Sequence, residues 1–245
     1  MNTPMISILV PVWNEENVVT AFLKRLLAIA AVLAPRCEII VIDDGSTDGT
    51  RAALEHLQQE HPALHVTTLR EHAGKTAALA AGRTLATGET IVLIDGDLQY
   101  DPADIPRLLA ALGEGRDGAI GRRTARPGDA WLTRQWPSQI ANRLVRCCTG
   151  VRLHDAGTGL QAYRRDVFAR LPLQDQWHRF LPVLAALDGA AVTEVPIQQT
   201  RRSGGRSKYG LERVPVVFCD LLRLARMAGH RRRAAAVTAV EHVTP

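Results

Sequence analysis

Three short apolar runs, each closing in a turn that carries carboxylates, constrain this chain more than any other feature. They are Ile6 to Val12 (ISILVPV), Glu38 to Ile42 (EIIVI) and Thr90 to Ile94 (TIVLI). The turns that follow are Trp13-Asn14-Glu15-Glu16, Asp43-Asp44-Gly45-Ser46-Thr47-Asp48-Gly49-Thr50 and Asp95-Gly96-Asp97-Leu98-Gln99. Apolar runs of this length without polar alternation read as strands buried on both faces. Between them, Val18 to Leu33 and Ala52 to Gln59 place apolar residues at helical spacing, and Thr76 to Thr87 is rich in the helix formers alanine and leucine. Strand alternating with helix predicts βαβ units, hence an α/β fold with a mostly parallel central sheet and helices on both faces. In such sheets ligands sit outside the carboxyl ends of the strands, so the chemistry is expected in the three acidic turns.

A chain of 245 residues supports one α/β domain with a substantial core and one active site. Hydrophobic residues make up 46% and charged residues 22%, with no repeat or low-complexity tract, which excludes a solenoid and a wholly disordered chain. Cys37, Cys147, Cys148 and Cys219 match neither a disulfide framework nor paired Cys-x-x-Cys ligands, and a reducing cytoplasm is expected. The N-terminal run meets Glu15 and Glu16 at once, without the pattern of a signal peptide. No stretch approaches the ~20 apolar residues of a spanning helix. The net charge of +5 is concentrated in the second half, at Arg122, Arg123 and Arg126, at Arg201, Arg202, Arg206 and Lys208, and at Arg231 to Arg233, so anionic partners are expected there.

The Asp95-x-Asp97-x-Gln99 turn offers the oxygen ligands of a hard-cation site, with room left on Mg²⁺ or Mn²⁺ for diphosphate oxygens. Neither a Gly-x-x-x-x-Gly-Lys-Ser/Thr loop nor a Gly-x-Gly-x-x-Gly turn after the first strand is present, which counts against P-loop and nicotinamide chemistry. A bound diphosphate would then be held mainly by the metal and by arginines. Ser46 and Asp48 taken singly suit ordinary turns and helix N-caps; carboxylates at all three strand ends argue for a site.

Four segments in fixed order carry a family resemblance: Pro11 to Glu15 (Pro-x-x-Asn-Glu), Val41 to Thr50 (VIDDGSTDGT), Gly74 to Leu79 (GKTAAL) and Asp95 to Gln99 (DGDLQ). Together they resemble the family 2 inverting glycosyltransferases, and more narrowly the polyprenyl-phosphate glycosyltransferases related to dolichyl-phosphate mannose synthase, over about residues 6 to 225. The resemblance implies a GT-A type, Rossmann-like nucleotide-sugar-binding domain. It implies nucleotide-sugar contacts at Pro11, Asn14, Glu15, Asp43, Asp44, Ser46, Lys75, Asp95 and Gly96, and a divalent ion, Mg²⁺ or Mn²⁺, held by Asp95, Asp97 and Gln99. Arg123, Arg134 and Ser138 match positions that present basic and hydroxyl groups to phosphates. Leu153-His154-Asp155, Ala162-Tyr163-Arg164-Arg165, His178-Arg179-Phe180 and the loop Arg202-Ser203-Gly204-Gly205-Arg206-Ser207-Lys208-Tyr209 complete the subgroup pattern. Asp97, Arg123, Arg134 and Asp155 are the implied catalytic set; Ser138, Arg179, Arg202, Ser207 and Lys208 are the implied contacts to the acceptor phosphate. His72 and Tyr100 depart from the usual residues at their positions, and neither removes an expected metal ligand; Gln176 stands where many relatives carry an acidic residue, a departure that bears on sugar specificity or loop closure.

The implied reaction moves a sugar from a UDP- or GDP-sugar to a polyprenyl phosphate such as undecaprenyl phosphate. A phosphate oxygen is already anionic near neutral pH, so positioning suffices where a hydroxyl acceptor would need a base, for which Asp155 is the one carboxylate to name. The alternatives are a soluble transferase acting on a saccharide or protein hydroxyl and a non-catalytic nucleotide-sugar-binding protein. No motif supports nucleic-acid binding. The expected organisation is a catalytic domain over 1–210, an amphipathic helix over 211–228 and a basic tail over 229–245. The helix carries Val214, Val217, Phe218, Leu221, Leu224 and Ala225 on one stripe. That stripe either packs on the domain or lies on a membrane, where basic residues such as Arg231 to Arg233 would each add roughly 1 kcal/mol near anionic lipid. The expected location is peripheral, on the cytoplasmic face of the inner membrane. Relatives of this kind often continue into membrane-spanning helices, so a membrane protein is an expected further partner.

Overall fold

The computed structural model describes residues 6–33, 37–61, 63–113, 115–124, 136–174, 177–198 and 223–226, with 136–141 described by their backbone. The first half alternates as the sequence predicts: β1 (Ile6–Val12), α1 (Val19–Leu33), β2 (Cys37–Asp43), α2 (Thr50–Glu60), β3 (Leu64–Thr68), α3 (Lys75–Leu85) and β4 (Thr90–Leu93). A 3₁₀ turn (Pro102–Asp104) leads into α4 (Ile105–Gly113) and β5 (Gly118–Arg123). The second half contains α5 (Trp136–Thr149), β6 (Gln161–Arg164), α6 (Arg165–Arg170), a second 3₁₀ turn (Trp177–Phe180), α7 (Leu181–Leu187) and β7 (Val192–Ile197).

The strands form one seven-stranded sheet in the order β3-β2-β1-β4-β6-β5-β7. β6 runs antiparallel to both its neighbours, and every other pairing is parallel. The chain winds outward from β1 through β2 to β3, then returns to place β4 on the other side of β1. This reversal makes β1 and β4 the switch point of the sheet, where the loops after two adjacent parallel strands diverge and open a crevice.

Side-chain alternation along β1, β2 and β4 feeds two separate cores. Ile8, Val10, Val12, Ile39, Val41 and Val92 pack with Phe22 and Leu26 of α1, Leu54 of α2 and Leu108 of α4. Leu9, Ile40, Ile42, Ile91 and Leu93 face the other way, against Leu79 of α3, Phe168 of α6 and Leu184 of α7. Burial on both faces is why these strands are nearly free of polar residues. It also stabilises them strongly, at about 25 cal/mol for each Å² of apolar surface withdrawn from water.

Four strands go beyond the three apolar runs. β3 (LHVTT) lies at an edge and is largely half-buried, while the short β5 and β6 reach the core through Ala119, Ile120, Ala162 and Tyr163. Of the predicted C-terminal helix, 223–226 is described and is helical. Leu224 there is fully buried in the core of Leu79, Phe168 and Leu184, so at this turn the apolar stripe packs on the domain. Among the described residues no helix is long and apolar enough to cross a membrane.

Behind the site, the turn from α3 to β4 lies directly on β1. The Gly88 N–H donates to Ser7 Oγ at 2.7 Å, and a Cβ on Gly88 would stand 2.6 Å from the Ser7 nitrogen and 2.7 Å from the Ile6 carbonyl carbon. Backbone cannot yield there without moving β4 off β1. Gly88→Ala is therefore expected to destabilise the fold by about 1–3 kcal/mol, the usual range for overpacking, read as a lower denaturant midpoint with an unchanged slope.

Candidate active site

The loops that follow β1 and β2 are zipped to one another by polar side chains. Asn14 adopts a left-handed backbone (φ 52°), a conformation asparagine tolerates better than most residues. It donates from its N–H to Ser46 Oγ at 2.9 Å and accepts the Thr47 N–H on Oδ1 at 2.8 Å. The Glu15 N–H donates to Thr50 Oγ1 at 2.8 Å, and Glu16 accepts the Gly49 N–H at 2.7 Å. Two of the predicted donor residues, Asn14 and Ser46, thus serve each other and fix the crevice wall. Pro11 and Glu15 lie half-buried along the same wall.

Asp43 and Asp44 have separate environments. Asp43 is fully buried at the end of β2; its Oδ1 accepts the Ser46 N–H at 3.0 Å, and its Oδ2 has no hydrogen-bond partner. A buried carboxylate oxygen without a donor is costly, which makes it a place for a ligand N–H. Asp44 is saturated. It accepts the Ala73 N–H at 2.8 Å and the Gly74 N–H at 2.9 Å, and His72 Nδ1 lies 2.9 Å from its Oδ2. Its work is to hold the loop before α3, and it brings His72 to stack on Trp13 with ring centroids 3.9 Å apart at 15°.

That loop delivers Lys75, the first residue of α3, whose ammonium pairs with Asp95 after β4. The next residue, Thr76, shares a hydrogen bond with His178 Nδ1 at 2.8 Å. The bond ties α3 to the second 3₁₀ turn and to the half-buried Arg179 beside it. Asp97 and Gln99 flank Leu98, which is also left-handed (φ 61°). The Gln99 amide nitrogen donates to Asp97 Oδ2 at 2.7 Å, and its N–H donates to Asp97 Oδ1 at 3.1 Å. This tight turn sets a carboxylate and a carboxamide side by side, an all-oxygen pair suited to Mg²⁺ or Mn²⁺. Among the described residues no group of three or more His, Cys, Asp or Glu side chains is gathered to hold a metal. An ion on Asp97 and Gln99 would thus complete its shell with oxygens from a ligand or water. Gly96 is required by the packing: a Cβ there would stand 2.7 Å from Val12 Cγ1.

Arg123, at the end of β5, is clamped by Asp155. Its Nε and N–H donate to Oδ2 at 2.7 and 3.0 Å, and its Nη2 donates to Oδ1 at 2.6 Å. Burial opposes the arginine's charge, but the Asp155 hydrogen bonds, helped by nearby Tyr100 and Asp95, outweigh it and hold the guanidinium above its ordinary range. Asp155 is itself braced by a residue the sequence did not disclose: Glu194 on β7 accepts the N–H groups of His154 and Asp155, each at 2.9 Å, and its second oxygen lies 2.6 Å from His154 Nδ1. Gly159 was likewise missed. It donates to Tyr100 Oη at 2.8 Å, and any Cβ would collide with the Asp95 carboxylate and the Tyr100 ring. Burial pushes the Tyr100 phenol up to about 12, so it stays a neutral hydrogen-bonding group.

The structure therefore brings together Asp43, Asp44, Lys75, Asp95, Gly96, Asp97, Gln99, Arg123 and Asp155 around the ends of β2, β4 and β5. Arg134, Arg202, Ser207 and Lys208 lie outside the described residues, as does the side chain of Ser138 on α5.

The architecture matches solved glycosyltransferases. It superimposes on glucosyl-3-phosphoglycerate synthase from Mycobacterium tuberculosis with a TM-score of 0.67 at 21% identity, over 93% of this chain and 80% of that one. It also superimposes on the mannosyltransferase PcManGT from Pyrobaculum calidifontis, solved with GDP-Man and Mn²⁺, with a TM-score of 0.62 at 18% identity over 96% and 76% of the two chains. These likenesses establish the GT-A type fold. In sequence, the chain is 38% identical over 221 residues to dodecaprenyl-phosphate galacturonate synthase from Rhizobium johnstonii, covering 89% of this chain and 65% of the relative. It is 35% identical over 223 residues to undecaprenyl-phosphate 4-deoxy-4-formamido-L-arabinose transferase from Shewanella sediminis, covering 90% and 66%. The chain thus spans about two thirds of the length of these curated relatives. Residues 7–171, from β1 through α6 with nearly every element just described, match the model of glycosyl transferase family 2, and the chain belongs to that family.

Proposed function

We propose that the protein transfers a sugar from a nucleotide-sugar donor to a polyprenyl phosphate, with inversion at the anomeric carbon. The Arg123–Asp155 clamp carries this reading. Asp155 was the carboxylate to name as a base for a hydroxyl acceptor, and both its oxygens are engaged by Arg123. A phosphate acceptor needs no base. It needs a fixed cation, and a guanidinium held charged and oriented at the rim of the crevice supplies one. The relatives named for transfer to dodecaprenyl and undecaprenyl phosphate support the same acceptor class.

In this reading the base of the nucleotide enters beside Asp43, whose unpartnered Oδ2 receives a ring N–H. Asp97 and Gln99, with Asp95 nearby, would hold Mg²⁺ or Mn²⁺, and the ion would neutralise the charge that develops on the departing diphosphate. Arg123 and Arg179 orient the acceptor phosphate, with Arg134, Ser138, Arg202, Ser207 and Lys208 proposed to complete its cradle. The acceptor oxygen forms its bond to the anomeric carbon on the face opposite the diphosphate. The old carbon–oxygen bond breaks, and the nucleoside diphosphate leaves with the electron pair. No proton has to be removed from the acceptor anion.

Attachment to the membrane is proposed to be peripheral, on the cytoplasmic face, through the basic C-terminal part. Because Leu224 is committed to the core, the basic residues carry this contact rather than the whole apolar stripe. Binding to anionic vesicles is expected to weaken as salt rises and to be absent on neutral vesicles; equal flotation with both kinds would contradict the assignment.

Transfer of radiolabelled sugar from a panel of UDP- and GDP-sugars to undecaprenyl phosphate tests the reaction. Product should appear in the lipid fraction with Mg²⁺ or Mn²⁺, vanish with EDTA, and fall at least about 10²-fold in Asp97→Ala. Metal-dependent donor hydrolysis without lipid product would point instead to a hydroxyl acceptor.

The clamp has its own signature. Asp155→Asn should lower kcat/KM by about 10²-fold, because Arg123 loses its charged anchor, while the acid limb of the pH–rate profile stays in place. That limb should follow ionisation of the acceptor phosphate, at about pH 6. Disappearance of the limb in Asp155→Asn would instead make Asp155 the base.

A further inference from the structure

The Lys75–Asp95 pair sits inside the motif that is proposed to hold the ion, and it occupies one of that motif's two carboxylates. Lys75 is set there from both sides. The two residues before it are pinned by Asp44, through the Ala73 and Gly74 N–H groups, and the residue after it is pinned by the Thr76–His178 hydrogen bond. Asp95 lies close against Gly159, where a Cβ would meet its other oxygen. The backbone around Lys75 is thus held, and the lysine side chain is the adjustable part. Both side chains are 29% exposed, so the pair is open to water and its ammonium can change partners without deep desolvation.

We propose that Lys75 couples ion binding to donor binding. Without donor its ammonium neutralises Asp95 and repels an approaching divalent ion; the donor's diphosphate draws the ammonium away and frees the carboxylate for the ion. This inference rests on the donor-and-metal reading above. Diphosphate and ion must then raise each other's affinity by the same factor, since linkage between two binding events is reciprocal. Removing one unit of positive charge from the edge of the site should change donor-free ion affinity by about tenfold, taking an effective dielectric between those of a protein surface and water.

The sign of the effect separates this role from a structural one. If the pair only braced the loop, losing it would loosen the site and weaken the ion. If Lys75 withholds Asp95, losing it strengthens donor-free binding. Titration of the full chain with Mn²⁺, with free ion read by electron paramagnetic resonance, measures this directly, alone and with UDP or GDP. Lys75→Met is expected to bind Mn²⁺ about tenfold more tightly than wild type in the absence of nucleotide. Nucleotide should then improve Mn²⁺ affinity about tenfold less than it does in wild type. Lys75→Arg, which keeps the charge, should behave as wild type. Unchanged or weaker donor-free affinity in Lys75→Met, with nucleotide-dependent Mn²⁺ binding intact in wild type, would overturn the coupling alone. Absence of Mn²⁺ binding to every form, with or without nucleotide, would overturn it together with the metal reading.

Discussion

The parallel pairing of β1 with β2 on one side and β4 on the other is the constraint on which everything else depends. β1 is hydrogen-bonded from Ile6 to Val12 against β2 and from Ile6 to Leu9 against β4, and its side chains are buried on both faces of the sheet. A strand so committed cannot slip by one residue without turning both cores inside out. Its end, and the ends of its neighbours, are therefore fixed to one level. Asp43 and Asp95 stand on opposite sides of the β1 loop, and the crevice between them follows from sheet geometry rather than from any feature of the loops.

On that frame the site is organised by compensated charge. Lys75 answers Asp95, and Arg123 answers Asp155. Each pair joins segments distant in sequence, and each is seated by further polar contacts: Asp44 and Thr76 around the lysine, Glu194 around the aspartate. Preorganisation of this kind costs stability when groups are desolvated, and it returns as orientation when a charged ligand arrives. Asp43 marks the place where compensation is incomplete, with one oxygen lacking a donor in the interior.

Legibility in the sequence followed the range of the interactions. Strands buried on both faces announce themselves as unbroken apolar runs, so β1, β2 and β4 were readable, and with them the level at which Asp43, Asp95 and Asp97 lie. β5 and β6 were not, because GAIGRR and QAYR are short, rich in small or polar residues, and owe their place to pairing with β4 and with each other. The motifs marked the Asp95-to-Gln99 turn and the Lys75 loop that meets it. They could not reveal that Asp44 also anchors the loop before α3, since its partners are backbone N–H groups 29 and 30 residues away. Glu194 left no signal: a lone glutamate on an edge strand resembles a solvated residue until the fold sets it against His154 and Asp155.

The position of β6 has a consequence for how such a chain comes to be assembled. It pairs with β4 and β5, yet it is synthesised long after β4 and after β5 as well. Until residue 164 is available, β4 ends the growing sheet as a bare edge, β5 has no strand to join it to the rest, and Gly159 is absent from beside Asp95. An unpaired edge of that apolar composition invites association with other chains. The region matched by the family runs to residue 171, just past β6 and α6, and so ends only after that edge is closed. The antiparallel strand is a late keystone, and a nascent or truncated chain lacking it would be the form most in need of chaperoning.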